Sequence, residues 1–149
     1  MQFLRLTLAS HRQLDLSEFF PYLINRVGSA LVARFSADAL DGRRLSIAMW
    51  RVLAALSANG GVRQIDVAEM TSIEVSTLSR LITRLMRLGL VDRRRSPTNS
   101  REVTVALTPK GKTLVAQLIP IAEALQDTAT RGLSSKEMAV VKRALRRRG

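Results

Sequence analysis

Ser76, Thr77, Ser79, Arg80, Thr83, Arg84 and Arg87 fall on one side of the stretch from Val75 to Leu88. At 3.6 residues per turn they oppose an apolar stripe of Val75, Leu78, Ile82 and Leu85, widened by Leu81 and Leu88. The chemistry open to such a face is non-covalent. Short hydroxyls near the helix start donate to and accept from base edges, and a guanidinium forks onto guanine or onto phosphate oxygens. Arg80 and Arg84 suit a guanine, and a phosphate serves equally well for Arg84. A plain solvated helix face is the competing explanation. Covalent chemistry finds no support: the chain has one histidine, His11, and no cysteine, glycine-rich phosphate loop or spaced carboxylate pair. No acid, base or nucleophile set, no metal site and no cofactor are therefore expected. Disulfides and thiol redox sensing are excluded with them.

Elements that would hold this face in place can be read on both sides of it. Gln64 to Met70 puts Ile65, Ala68 and Met70 on one side, and Thr71-Ser72-Ile73 is a turn of the length that joins a helix-turn-helix. Gly89 stands where a left-handed C-cap is wanted, with Leu90 as the accompanying apolar contact. Val91 to Arg95 and Glu102 to Leu107 have strand character, and Ser96 to Arg101 forms the tip between them. This is a basic hairpin, or wing. Arg94, Arg95 and Arg101 become candidate DNA contacts, Arg101 in or beside a narrow A·T-rich minor groove. The competing explanation is a charged edge that discourages sheet aggregation.

Further out the pattern is helical. Residues Met1 to Gln13 read as an arm or as the first turns of a helix. Ser17 is expected to cap a helix running to about Leu40, with Pro21 in its first turn. Its apolar set, from Phe19 and Phe20 through Leu23, Ile24, Val27 and Leu31 to Phe35, exceeds what one small winged helix can cover and points to a partner subunit. Ser46 caps a helix to about Ala58, and Thr108 caps another with Pro109 at its first position. Leu114, Val115, Leu118, Ile121, Ala122 and Leu125 are its stripe, and Pro120 is expected to kink it. Ser134 and Glu137 form a capping-box pattern ahead of a last helix carrying Met138, Val141 and Leu145. The fold class is mainly α with a small β-wing.

The charge agrees. The 149 residues carry a net +12, which calls for a polyanionic partner, either nucleic acid or an anionic membrane surface. Between Val75 and Lys112 nine basic residues face two acidic ones, so +7 of the excess lies on the candidate DNA-binding stretch. No apolar run of about 18 residues occurs, so no transmembrane helix is expected. The helix-turn-helix punctuation and the wing also argue against a membrane-surface protein. Met1 to Leu8 is interrupted by Arg5 and lacks a small-residue cleavage site, so no signal peptide is expected.

Two runs carry a specific resemblance. Ser76-Thr77-Leu78-Ser79-Arg80-Leu81-Ile82-Thr83-Arg84-Leu85, followed by Leu88-Gly89-Leu90-Val91-Asp92-Arg93, resembles the recognition helix and first wing strand of the MarR family of dimeric bacterial transcription regulators. Arg101 to Gly111 is similar to that family's second wing strand and turn into the next helix, and Leu45 to Leu53 to its preceding helix. Two departures stand out. Asn99 replaces the aspartate that usually precedes the wing arginine by two residues. Glu74 occupies the N-cap of the recognition helix, where glutamate is a poor cap.

The resemblance implies one domain over 1–149, with a winged core at about 45–111 and dimerisation helices at about 10–40 and 109–148. It implies a cytoplasmic homodimer on a pseudo-palindromic operator of double-stranded DNA, with half-sites about one helical turn apart. It further implies a small anionic or phenolic effector between the dimerisation helices and the winged domain, with Tyr22, Arg26, Met49 and Trp50 as candidate contacts. Ordinary packing is the competing explanation for those four. The expected function is a repressor of bacterial genes relieved by such a ligand. The alternative is a sequence-tolerant, architectural nucleic-acid binder with no ligand response.

Overall fold

The computed structural model describes residues 12–99 and 101–149; Ser100 and the expected N-terminal arm up to His11 lie outside them, and Arg12 and Gln13 take no regular structure. The chain divides into two compact units, Met1–Ala30 and Leu31–Gly149. In the first, the expected cap at Ser17 gives way to a turn. The Ser17 N–H and hydroxyl both donate to the Asp15 carboxylate, at 2.9 and 2.7 Å, and α1, Phe20–Phe35, starts two residues later than that cap would set it. Phe20, Tyr22, Leu23, Ile24 and Val27 are exposed on it.

The second unit holds the remaining elements. After Phe35 the helix widens into a π-turn over Ser36–Leu40 and tightens into a 3₁₀ turn over Asp41–Arg43. Arg44 then takes a left-handed backbone, φ 57°, and releases the chain into α2, Ile47–Asn59. Ser46 caps α2 by accepting from the Met49 N–H. A two-residue strand β1, Val62–Arg63, leads into α3, Gln64–Thr71, and α4, Val75–Arg87. The wing strands are β2, Val91–Arg95, and β3, Val103–Leu107. Helix α5 covers Pro109–Ala129, continuing through Pro120, and α6 covers Ser135–Arg146 behind the expected Ser134–Glu137 capping box.

The sheet order is β1-β3-β2, all antiparallel, with Val62 opposite Val105 and Arg94 opposite Thr104. Strand β1 carries too few residues for a period-2 signal, and its pairing with β3 is a tertiary matter. The core joins Met49, Val52, Leu53 and Leu56 of α2 to Leu78, Ile82 and Leu85 of α4, over Val105 of β3 and Val115 and Leu118 of α5. No polar or charged side chain among the described residues is buried there. Helix α3 departs from its expected phase: Val67 and Ala68 are buried while Ile65 and Met70 are exposed. Eight residues are two turns, too few to fix a helical phase when apolar groups stand on both sides.

Helices α3 and α4 both close at their C-terminal ends as Schellman motifs. For α3, Ile73 N–H donates to Ala68 O and Ser72, at φ 54°, donates to Glu69 O. For α4, Leu90 N–H donates to Leu85 O and Gly89, at φ 72°, donates to Met86 O. The start of α5 is fastened to the same place. The Thr108 hydroxyl donates to Gly89 O at 2.6 Å and accepts from the Gly111 N–H at 3.0 Å, while Lys110 Nζ donates to Leu88 O at 2.9 Å. A Cβ on Gly111 would overlap the Leu90 carbonyl oxygen, so only glycine permits this approach. Gly111→Ala should therefore destabilise the protein by about 1–3 kcal/mol, the usual range for overpacking. Chemical denaturation measures it, and an unchanged midpoint would show that the junction is not tightly packed.

Candidate nucleic-acid interface

Helix α4 seats Leu78, Ile82 and Leu85 in the core and turns the opposite side outward. Ser76, Arg80, Arg84 and Arg87 are exposed there; Thr77, Ser79 and Thr83 are half-buried at its margins. Val75, expected in the apolar stripe, is exposed because the helix start projects past the core. The arginines follow one another at positions 80, 84 and 87, a single stripe along the helix.

The hydroxyls are already engaged. Thr83 Oγ1 donates to the Ser79 carbonyl at 3.0 Å, a local back-bond within the helix. Glu74 draws in both residues of the first turn: Ser76 Oγ donates to its carboxylate at 2.6 Å and Thr77 Oγ1 at 3.2 Å. The Ser76 hydroxyl, with a lesser contribution from Thr77, holds the Glu74 carboxyl below its ordinary 4.5, and desolvation is the main opposing effect. No first-turn N–H reaches hydrogen-bond geometry with that carboxylate. Glutamate thus fails as a backbone N-cap, as expected, and organises the hydroxyls instead. An ionised carboxylate at this point can accept from a cytosine amino group and repels phosphate.

The wing does not present its arginines together. Strand alternation separates Arg94 from Arg93 and Arg95. Arg93 turns inward, where its terminal nitrogen donates to the Ser79 carbonyl at 3.2 Å and bridges β2 to α4; its Nε is enclosed. Arg94, Arg95 and Arg101 remain exposed. At the tip Asn99 Oδ1 accepts from the Arg101 backbone N–H at 3.1 Å, an Asx turn that shapes the loop. Arg101 lines a shallow groove with Arg63, Gln64, Val75 and Glu102, between the wing and the start of α4. Arg63 is held to Asp66 by two hydrogen bonds, at 2.7 and 3.0 Å.

The four candidate effector contacts have different surroundings. Tyr22 and Arg26 lie on the exposed part of α1. Met49 is wholly buried in the core. Trp50 is half-buried with its ring 5.2 Å from that of Phe35, tilted by 50°. No group of His, Cys, Asp and Glu among the described residues could hold a metal ion, and no helix among them is long and apolar enough to cross a membrane. Sequence patterning gave no weight to Arg44 or to the inward role of Arg93. The first sits in an irregular turn, and the second is indistinguishable from its basic neighbours without the strand register.

A helix-turn-helix whose second helix exposes a stripe of arginine beside a basic two-stranded wing defines the winged helix-turn-helix class. The MarR family profile matches residues 45–102. A MarR-family transcriptional regulator from Silicibacter pomeroyi is similar at 31% identity, covering 91% of this chain and 93% of that one, with a TM-score of 0.79. BpsR of Bordetella bronchiseptica, whose DNA binding is regulated by 6-hydroxynicotinic acid, is similar at 30% identity, covering 91% and 96%, with a TM-score of 0.81. The multiple antibiotic resistance protein MarR of Salmonella typhimurium is 24% identical over 127 residues, 85% of each chain. The chain belongs to the MarR family of transcription regulators. Its relatives are regulators, not enzymes.

Acid should loosen two helix starts. Glu74 ahead of α4 and Glu137 in the first turn of α6 both sit below their ordinary 4.5, the latter chiefly because the Ser134 backbone N–H donates to it. A depressed folded value means that their contribution is present above pH 4.5 and is lost as pH falls through the folded value. The unfolding temperature should decline below about pH 4.5, and the Glu74→Gln, Glu137→Gln double variant should decline less steeply. Superimposable acid limbs would remove both carboxylates from the account.

Proposed function

We propose that the protein is a homodimeric repressor that reads a pseudo-palindromic operator and is released from it by a small anionic or phenolic ligand. The exposed stripe of Arg80, Arg84 and Arg87 with Ser76, opposite a fully apolar buried face, carries this reading. In it, α4 lies in the major groove, with Ser76, Thr77, Ser79, Arg80, Thr83 and Arg84 toward the bases and adjoining phosphates. Arg94, Arg95 and Arg101 of the wing follow the neighbouring backbone and minor groove. Dimerisation is supported by α6, which buries none of its residues and exposes Val141 and Leu145, and by the exposed apolar residues of α1. The ligand class is supported by BpsR, which responds to a hydroxylated aromatic acid.

One observation favours the architectural reading in its place. The hydroxyls of Ser76, Thr77 and Thr83 are occupied within the chain, and the groups left fully outward are arginines, which bind any duplex. Selection of bound duplexes from a random pool at near-physiological salt separates the two. Enrichment of a two-fold-symmetric motif supports the repressor reading. Strong binding without enrichment that collapses as salt rises establishes the architectural one. Release of the selected duplex by a panel of hydroxylated aromatic carboxylates then tests the effector.

Two substitutions divide the roles. Arg80→Ala should cost about 1–3 kcal/mol at one base position and relax preference there; uniform weakening on all duplexes would refute base reading by Arg80. Arg101→Ala should weaken all duplexes alike and reduce the salt slope by about one. A slope identical to that of the parent would remove the wing from the interface.

A further inference from the structure

Four arginines border one concavity whose lining shares no residue with the wing-tip groove. Arg80, Arg84 and Arg87 contribute the helix stripe; Arg44 reaches it from the turn before α2, and Leu88 completes the lining. The concavity measures about 470 Å³ and no carboxylate lines it. Among the described residues the ion pairs are Arg34 with Asp38 and Arg63 with Asp66, so none of the four arginines has an acidic partner there. Nor, among those residues, does any of their side chains donate to a backbone carbonyl, although the adjacent Arg43 donates to Ala39 O at 2.8 Å. Four like charges around an open concavity repel one another, and the arrangement is favourable only when an anion enters.

Arg44 is placed there by the backbone. It adopts φ 57° and ψ 31°, a conformation that disfavours any residue with a Cβ other than Asn or Asp. Its neighbours fix it: Leu45 is buried and donates to the Leu40 carbonyl at 3.3 Å, and Ser46 caps α2, which packs on α4. Arg44 therefore joins the helix stripe in lining the concavity from a rigidly held turn. Planar forks from two elements, with no competing carboxylate, match the tetrahedral oxygens of a phosphate.

We propose that Arg44, Arg84 and Arg87, with Arg80 at the outer edge, form a phosphate-binding cleft. Its ligand is a phosphoryl oxyanion. The source is either a phosphodiester of the bound duplex, contacted from outside the helix-turn-helix, or a free polyphosphate that would compete with DNA for α4. The cleft rests on the DNA-binding reading only for the first source.

The test uses the full chain and its Arg44→Gly and Arg44→Ala variants. Glycine suits the left-handed position, so Arg44→Gly keeps the fold while removing the guanidinium. Arg131→Ala, in the α5–α6 loop, controls for loss of one positive charge. Duplex affinity is measured against salt, and sodium tripolyphosphate is titrated calorimetrically without DNA. For a duplex source, both Arg44 variants lose about one unit of salt slope and about tenfold in affinity on every sequence, and Arg131→Ala does not. For a free anion, tripolyphosphate binds saturably to the parent and loses at least that factor in both variants, with the duplex slope unchanged. Saturable, Arg44-dependent tripolyphosphate binding in a protein that binds no duplex would sustain the cleft and refute the DNA reading. Parent-like behaviour of both Arg44 variants in both measurements, or equal losses in Arg131→Ala, overturns the cleft.

Discussion

The junction of Gly89, Leu90, Thr108 and Gly111 is the constraint on which the geometry of this protein depends. Four elements end or begin there: helix α4, the wing strands β2 and β3, and the long helix α5. The Thr108 hydroxyl uses its donor on Gly89 O and an acceptor on the Gly111 N–H, and the Thr108 N–H donates to Leu90 O. Lys110 sets a cation on the last carbonyls of α4, where the helix dipole favours one. Gly111 lets the first turn of α5 approach the Leu90 carbonyl more closely than any side chain would allow. A single cluster thus fixes the exit of α4, the root of the wing and the direction of α5. The angle between α4 and the wing follows from it.

Within that frame α4 is held from below by apolar packing and from the side by Arg93, whose reach to the Ser79 carbonyl ties the wing to the helix at a second point. Its first turn is less conventional. Glu74 occupies the donors of Ser76 and Thr77, but a hydroxyl keeps its lone pairs when its proton is engaged. In this arrangement both residues, and Glu74 itself, present acceptors. In the proposed major-groove position of α4, amino groups on adenine and cytosine would be the complementary partners, and the acceptor-rich edge of guanine would be left to the arginines. The head of the helix and its stripe would then read different bases by opposite hydrogen-bond polarity.

Most of the fold could be read from local chemistry, and the exceptions share a cause. Ser46, Thr108 and the Ser134–Glu137 box behave as caps because capping is a contact of three residues' span. Gly89 takes the left-handed position for which its lack of a Cβ suits it. The strand β1, the phase of α3 and the inward turn of Arg93 depend instead on what packs alongside, which spacing does not record. Ser17 shows that local signals also compete: the Asp15 carboxylate captured its hydroxyl and delayed the helix. At the interface, residue types along α4 located the outward face correctly but did not reveal which hydroxyls the chain itself would engage. Arg44 was invisible because a turn has no period.

The distribution of charge pairs completes the argument. Among the described residues, both ion pairs are local in sequence, Arg34 with Asp38 and Arg63 with Asp66, exposed and individually weak. The arginines of α4 and the outward arginines of the wing receive no such partner, though twelve acidic residues were there to supply one. Leaving them bare costs self-repulsion in the free protein, which the apolar core beneath α4 must offset. The same bareness removes a competitor that a phosphate backbone would otherwise have to displace. Affinity on this surface should therefore be mostly electrostatic and steeply dependent on salt. In the proposed function, discrimination would fall to the few groups whose position the junction and the Arg93 bridge determine.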